Sequence, residues 1–238
     1  MLRLPLKLKI AGVGVAGAVS LLGASAQAAT VTLGGPLTNA LPSRPIAISA
    51  TVRQIALPGA TLVAPFNGQI RSWKLINASG GWTLQVLHPS GGGVVSTAST
   101  HSGTLGSGIV TLAARLPIRA GDSIGLASDS ASSTLGNSDA TPGAALDAYV
   151  PPLTDNAAPR RSSALATQEL GFNATIVSNC IVPRVKGKTA RKARSRLRAA
   201  GCKGKVVKKK GGRRVTRQKP PPGTEVPPGT AIKLTLGP

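Results

Sequence analysis

Two short runs of β-favouring residues flank a turn cluster in the first half of the chain. Residues 69–76 (QIRSWKLI) and 82–88 (WTLQVLH) are separated by NASGG at 77–81. In the second run Trp82, Leu84 and Val86 fall on one face, the period-two spacing of a half-buried strand. Comparable runs lie at 109–112, 123–126, 146–150 and 170–177, with turn clusters such as PSGGG at 89–93 and AGD at 120–122 between them. No stretch of this region repeats its apolar residues with a period of 3.6. About eight short strands at this spacing predict a mainly β fold, with a jelly-roll-like β-sandwich over residues 29–179. Roughly 150 residues are enough to bury a two-sheet core.

The first 28 residues have a different logic. Arg3, Lys7 and Lys9 precede an apolar run at 10–22 that only Ser20 interrupts, and Ala26-Gln27-Ala28 then fits a small-x-small cleavage site. Thirteen residues rise only about 20 Å as a helix, short of a bilayer core of about 30 Å. The segment 1–28 therefore reads as a secretory signal peptide, with a mature, secreted chain beginning near Ala29 and no transmembrane segment after cleavage.

Charge divides the mature chain. The whole protein carries 29 Lys+Arg against 7 Asp+Glu, a formal net charge of +22, and aromatics are only 2% of its 238 residues. Residues 29–179 are nearly neutral and hold all five aromatics: Phe66, Trp73, Trp82, Tyr149 and Phe172. Residues 180–238 hold eighteen basic residues and a single acidic one, Glu225. Two histidines and two cysteines leave little for a metal cluster, and neither a metal nor a cofactor is expected. His88 and His101 read as surface histidines, the latter in a Ser/Thr/Gly-rich loop, and no G-x-S-x-G pattern supports a serine nucleophile. Asp122 and Asp129, beside Gly and Ser, read as turn formers. No catalytic constellation emerges, and the chain is expected not to be an enzyme. Trp73 and Trp82 leave two readings open: core residues, or exposed platforms on which a glycan stacks.

The basic region has a more specific pattern. Val182-Pro183, Val185 and Gly187 open it, and Thr189 is placed to N-cap a helix that Gly201 ends. Ala190, Ala193, Leu197 and Ala200 fall on one side at helical spacing, away from Arg191, Lys192, Arg194 and Arg198. Pro-Gly-Thr units end at Thr224 and Thr230, and Ile232, Leu234 and Leu236 alternate as in a strand. This order resembles a PASTA domain over residues 180–238. The resemblance implies a small α+β unit, one helix on a three-stranded sheet, located outside the cell and associated with peptidoglycan. Its helix and following segment are far more basic than in typical family members.

Cys180 and Cys202 flank the predicted helix, and a secreted chain with two cysteines most simply forms one disulfide. Free thiols and an intermolecular pair are the other readings. The cations Arg191, Lys192, Arg194, Arg198, Lys203, Lys205, Lys208, Lys209, Lys210, Arg213 and Arg214 are dense enough to bind polyanions by counterion release. Without aromatics the module cannot stack bases, so no specific nucleic acid is expected. The partner expected is peptidoglycan or an anionic cell-wall polymer. One alternative gives recognition to the sandwich, as a carbohydrate-binding domain with the PASTA-like module as spacer. Another is a secreted hydrolase, which requires His88 or His101 beside a Ser and an Asp.

Overall fold

The computed structural model describes residues 28–38, 41–46, 49–103, 105, 106, 108–207 and 212–237. The predicted signal segment before Ala28, and Lys208, Lys209 and Lys210, lie outside the described residues. Thirteen strands precede Asn179: β1 (Thr30–Gly34), β2 (Ser43–Pro45), β3 (Thr51–Ala56), β4 (Gly68–Ile76), β5 (Trp82–Ser90), β6 (Gly93–His101), β7 (Ile109–Ile118), β8 (Ser123–Ser128), β9 (Thr134–Ser138), β10 (Ala145–Tyr149), β11 (Ala164–Ala166), β12 (Glu169–Leu170) and β13 (Phe172–Ser178). After it come β14 (Cys180–Ile181), α1 (Ala190–Ala199), β15 (Lys203–Val207), β16 (Arg214–Lys219), β17 (Glu225–Val226) and β18 (Ala231–Gly237).

The N-terminal part is a β-sandwich. One sheet runs β1-β13-β4-β7 and the other β11-β10-β3-β8-β5-β6, with β12-β9-β2 as a small side sheet. β1 pairs with β13, β3 with β8, β4 with β7 and β5 with β6, all antiparallel. That nesting of early strands with late ones, inward to a central hairpin, is the jelly-roll winding. One core fills the space between the sheets. Leu33, Ile70, Trp73, Leu116, Phe172 and Ile176 come from the first sheet; Val52, Trp82, Leu84, Val86, Leu126 and Leu146 come from the second.

In β5 Trp82, Leu84 and Val86 face the core as expected, but Gln85 and Leu87 on its other side are buried too, so the strand is not half-buried. A bulge between Ile70 and Ser72 breaks the alternation of β4, and β3 and β6 carry no alternating signal. β6 (GVVSTASTH) is an edge strand on which Thr97 and His101 are exposed and Ser96 is buried, so His101 ends a strand rather than sitting in a loop. The β5–β6 hairpin turns at Gly91 and Gly92, with φ of 54° and 77°. Positive φ at both central residues is the two-residue turn whose twist matches the strands it joins.

The C-terminal module has its own core, including Val182, Val185, Ala193, Leu197, Val215, Ile232, Leu234 and Leu236. Thr189 caps α1, its side chain accepting a hydrogen bond from the Lys192 amide, and Ala193 and Leu197 are the buried residues of the helix. Gly201 takes φ 72° just beyond the helix, the left-handed ending expected of it. The sheet runs β15-β18-β16, with β15 parallel and β16 antiparallel to β18. The one helix described therefore packs on a three-stranded sheet. Gly204 makes this close: a Cβ there would come within 2.9 Å of Leu197 Cδ1. Cys180 and Cys202 are disulfide-bonded, with Cα atoms 5.3 Å apart.

Candidate functional site

The sandwich places its candidate residues out of reach of a ligand or in pairs with one another. Trp73 and Trp82 are 1% and 0% exposed and lie in the shared core. The glycan-stacking expectation for them is therefore corrected: each indole lies between the two sheets, where its area stabilises the fold, and no ring face is left for a sugar. The Trp82 indole N–H donates to the carbonyls of Ser79 and Thr134.

His88 Nδ1 lies 2.7 Å from Asp122 Oδ1, and the other oxygen of Asp122 accepts from the Arg119 amide. Asp122 is 2% exposed, so it does more than form a turn. His101 Nδ1 lies 3.3 Å from Thr83 Oγ1 and 3.5 Å from Asp129 Oδ2. Each histidine thus meets an aspartate, and among the described residues no serine hydroxyl is hydrogen-bonded to either ring in the way a Ser-His-Asp triad needs.

The face of the second sheet turned away from the core is partly covered, with Pro89 and His101 left exposed. Residues 150–163 cross it from β10 toward β6. Leu153 packs there with Leu87, Val94 and Tyr149, and Ser96 and Ser99 both donate to Asp155. Val94 and Arg160 exchange a pair of backbone hydrogen bonds at 2.8 and 2.9 Å. At the margin of this strap Arg53 makes a two-point hydrogen-bonded ion pair with Asp147, and Tyr149 donates to the same carboxylate. Burial disfavours the Arg53 charge, but the hydrogen bond to Asp147 and its negative charge outweigh it and hold the guanidinium above its ordinary pKa. Burial, then the hydrogen bond to Asp147, pushes the Tyr149 phenol up to about 12.

The described cations of the C-terminal module are all available. Every Lys and Arg described between Cys180 and Gly237 is exposed. The four ion pairs among the described residues involve only residues of the sandwich. Glu225, the module's lone acid, accepts instead from the Asn179 side chain at 3.0 Å, where the two modules meet.

Among the described residues, the module's architecture distributes the expected cations rather than gathering them. Ala193 and Leu197 turn inward, which leaves Arg191, Lys192, Arg194 and Arg198 on the outer side of α1. Arg194 and Arg198 join Lys203 and Gly204 along a shallow cleft of about 470 Å³ between α1 and β15. Arg213 and Arg214 lie at the start of β16, where the Arg214 guanidinium donates to the Gly187 carbonyl at 2.9 Å. The side of the sheet away from the helix bears a second basic surface, formed by Lys205, Arg217, Lys219 and Lys233, with Lys203 at its edge. Sequence reasoning missed Arg217, Lys219 and Lys233, because isolated basic residues in separate strands form no run.

The family model of the PASTA domain matches residues 181–238, so the module of α1 and the β15-β18-β16 sheet is a PASTA domain. No curated protein and no solved structure matches the chain. No helix among the described residues is long and apolar enough to cross a membrane.

Proposed function

We propose that the chain is a secreted, non-enzymatic protein of the cell wall, held there by its PASTA domain on peptidoglycan or on the anionic polymers that accompany it. One observation carries this reading: among the described residues, the PASTA domain has fifteen Lys and Arg side chains that are all exposed, and none of them has an acidic partner. Uncompensated surface charge repels itself and is relieved when a polyanion binds and both surfaces release their counterions. The bonded Cys180–Cys202 pair suits an oxidising compartment. The sandwich then serves as the body that the domain retains at the wall.

The test is co-sedimentation of the disulfide-intact protein with purified peptidoglycan, either retaining or stripped of its anionic polymers, across a salt series. Binding to retained polymer that moderate salt reverses is the expected outcome. Binding to stripped wall that survives salt identifies muropeptide recognition, rather than charge, as the main source of affinity. Absence of binding to both preparations refutes the proposal.

A further inference from the structure

The strand register of the PASTA domain places three lysines in one line. Lys205 of β15 is directly opposite Lys233 of β18, and Lys233 is directly opposite Lys219 of β16. The neighbours of Lys233 in β18, Ile232 and Leu234, are fully buried against the helix side, and all three lysines are exposed. The row therefore crosses the solvent face of the whole sheet. With strands about 4.8 Å apart, the three stems start along a line of about 10 Å. Lys203 and Arg217 flank it two residues along β15 and β16.

Like charges directly opposite one another across strands destabilise a sheet. An acid interleaved among them would relieve the repulsion, yet β15, β16 and β18 contain no Asp or Glu. The fold thus keeps a repulsive row at the centre of this face. The face has no aromatic side chain, so neither base stacking nor sugar stacking can operate there. What remains is recognition of regularly spaced anions by compact ammonium groups, a use to which lysine is suited as a point charge against phosphate.

We propose that the solvent face of the β15-β18-β16 sheet is a binding site for a linear polymer of phosphate groups, laid across the strands along Lys205, Lys233 and Lys219. This rests on the wall-polymer reading and assigns it a surface and a chemistry. The phosphate chain is supplied either by a wall poly(alditol phosphate) or by free inorganic polyphosphate.

The experiment measures affinity of the full, disulfide-bonded chain for long-chain inorganic polyphosphate and for purified poly(alditol phosphate), with polyglutamate as the carboxylate probe. Three proteins are compared: wild type, Lys205→Gln/Lys219→Gln/Lys233→Gln, and the charge-matched helix triple Arg191→Gln/Lys192→Gln/Arg198→Gln. The sheet triple is expected to lose tenfold or more, the helix triple threefold or less, and the sheet triple to melt at or above the wild-type temperature. Lys233→Gln alone removes the centre of the row and is expected to account for the largest single loss. Preference between the two phosphate polymers identifies the source. Equal losses in the two triples would overturn this site while leaving wall binding by net charge intact. Polyglutamate binding as tight as polyphosphate overturns the phosphate assignment. Failure of wild type to bind either phosphate polymer overturns the site, and the sedimentation result then decides separately whether the wall reading survives.

Discussion

Tyr149 is the single tyrosine of the chain, and its hydroxyl is engaged by Asp147 while its ring packs under the strap. Below pH 10 the phenol is protonated whether the protein is folded or not. Between pH 10 and about 12 only the unfolded chain ionises, so the stability contributed by the neutral phenol is complete below 10 and is lost as pH rises toward about 12. Tyrosinate absorbance therefore reports one residue, with a native midpoint near 12. Asp147→Asn removes a negative charge and lowers that midpoint, while burial still keeps it above the ordinary value of 10. A native midpoint at 10 in the wild-type protein contradicts the hydrogen-bonded geometry. Core positions follow a simpler rule. Leu197, fully buried on the inner face of α1, is expected to cost about 2–5 kcal/mol when cut to Ala, measured by denaturant unfolding followed through amide exchange in the module.

The helix illustrates how an element can be stable and yet carry charge that opposes its own stability. Its Thr189 cap is expected to contribute about 1 kcal/mol, lost in Thr189→Ala. Its first turn contains no acid, and Arg191 and Lys192 stand where the helix N-terminus already concentrates positive charge. Reversing them with Arg191→Glu and Lys192→Glu is expected to stabilise the module by about 0.3–1 kcal/mol each at low salt. The same pair of changes weakens sedimentation with retained wall polymer. Thermal melts and the binding assay on one preparation check both signs. A fall in stability on reversal would mean that packing by these two side chains outweighs their repulsion from the helix N-terminus. The helix was legible in the sequence because cap, apolar spacing and terminal glycine are all local. β3 and β6 were not, because a strand covered by a strap on one side or lying at a sheet edge need not alternate.

The two modules have separate cores and different probes. Trp73 and Trp82 are both in the sandwich, and the PASTA domain contains no aromatic residue, so tryptophan fluorescence follows the sandwich while amide hydrogen exchange follows both. The Cys180–Cys202 bond joins residues 22 apart, a loop closure worth about 3 kcal/mol from the entropy it removes from the unfolded chain. Reduction is expected to raise exchange throughout α1 and the β15-β18-β16 sheet and to leave the tryptophan melting midpoint unchanged. A shift of that midpoint would show that the contact at Asn179 and Glu225 couples the modules. The sequence by itself determined what is local: the core-facing spacing of Trp82, Leu84 and Val86 in β5, the helix with its cap and stop, the PASTA-like order of turns, and the concentration of positive charge beyond Cys180. Tertiary structure alone decided what depends on distant partners. It buried both tryptophans, because two sheets closed on them, and it aligned Lys205, Lys233 and Lys219, because hydrogen bonding between strands apart in the chain sets which side chains stand opposite one another.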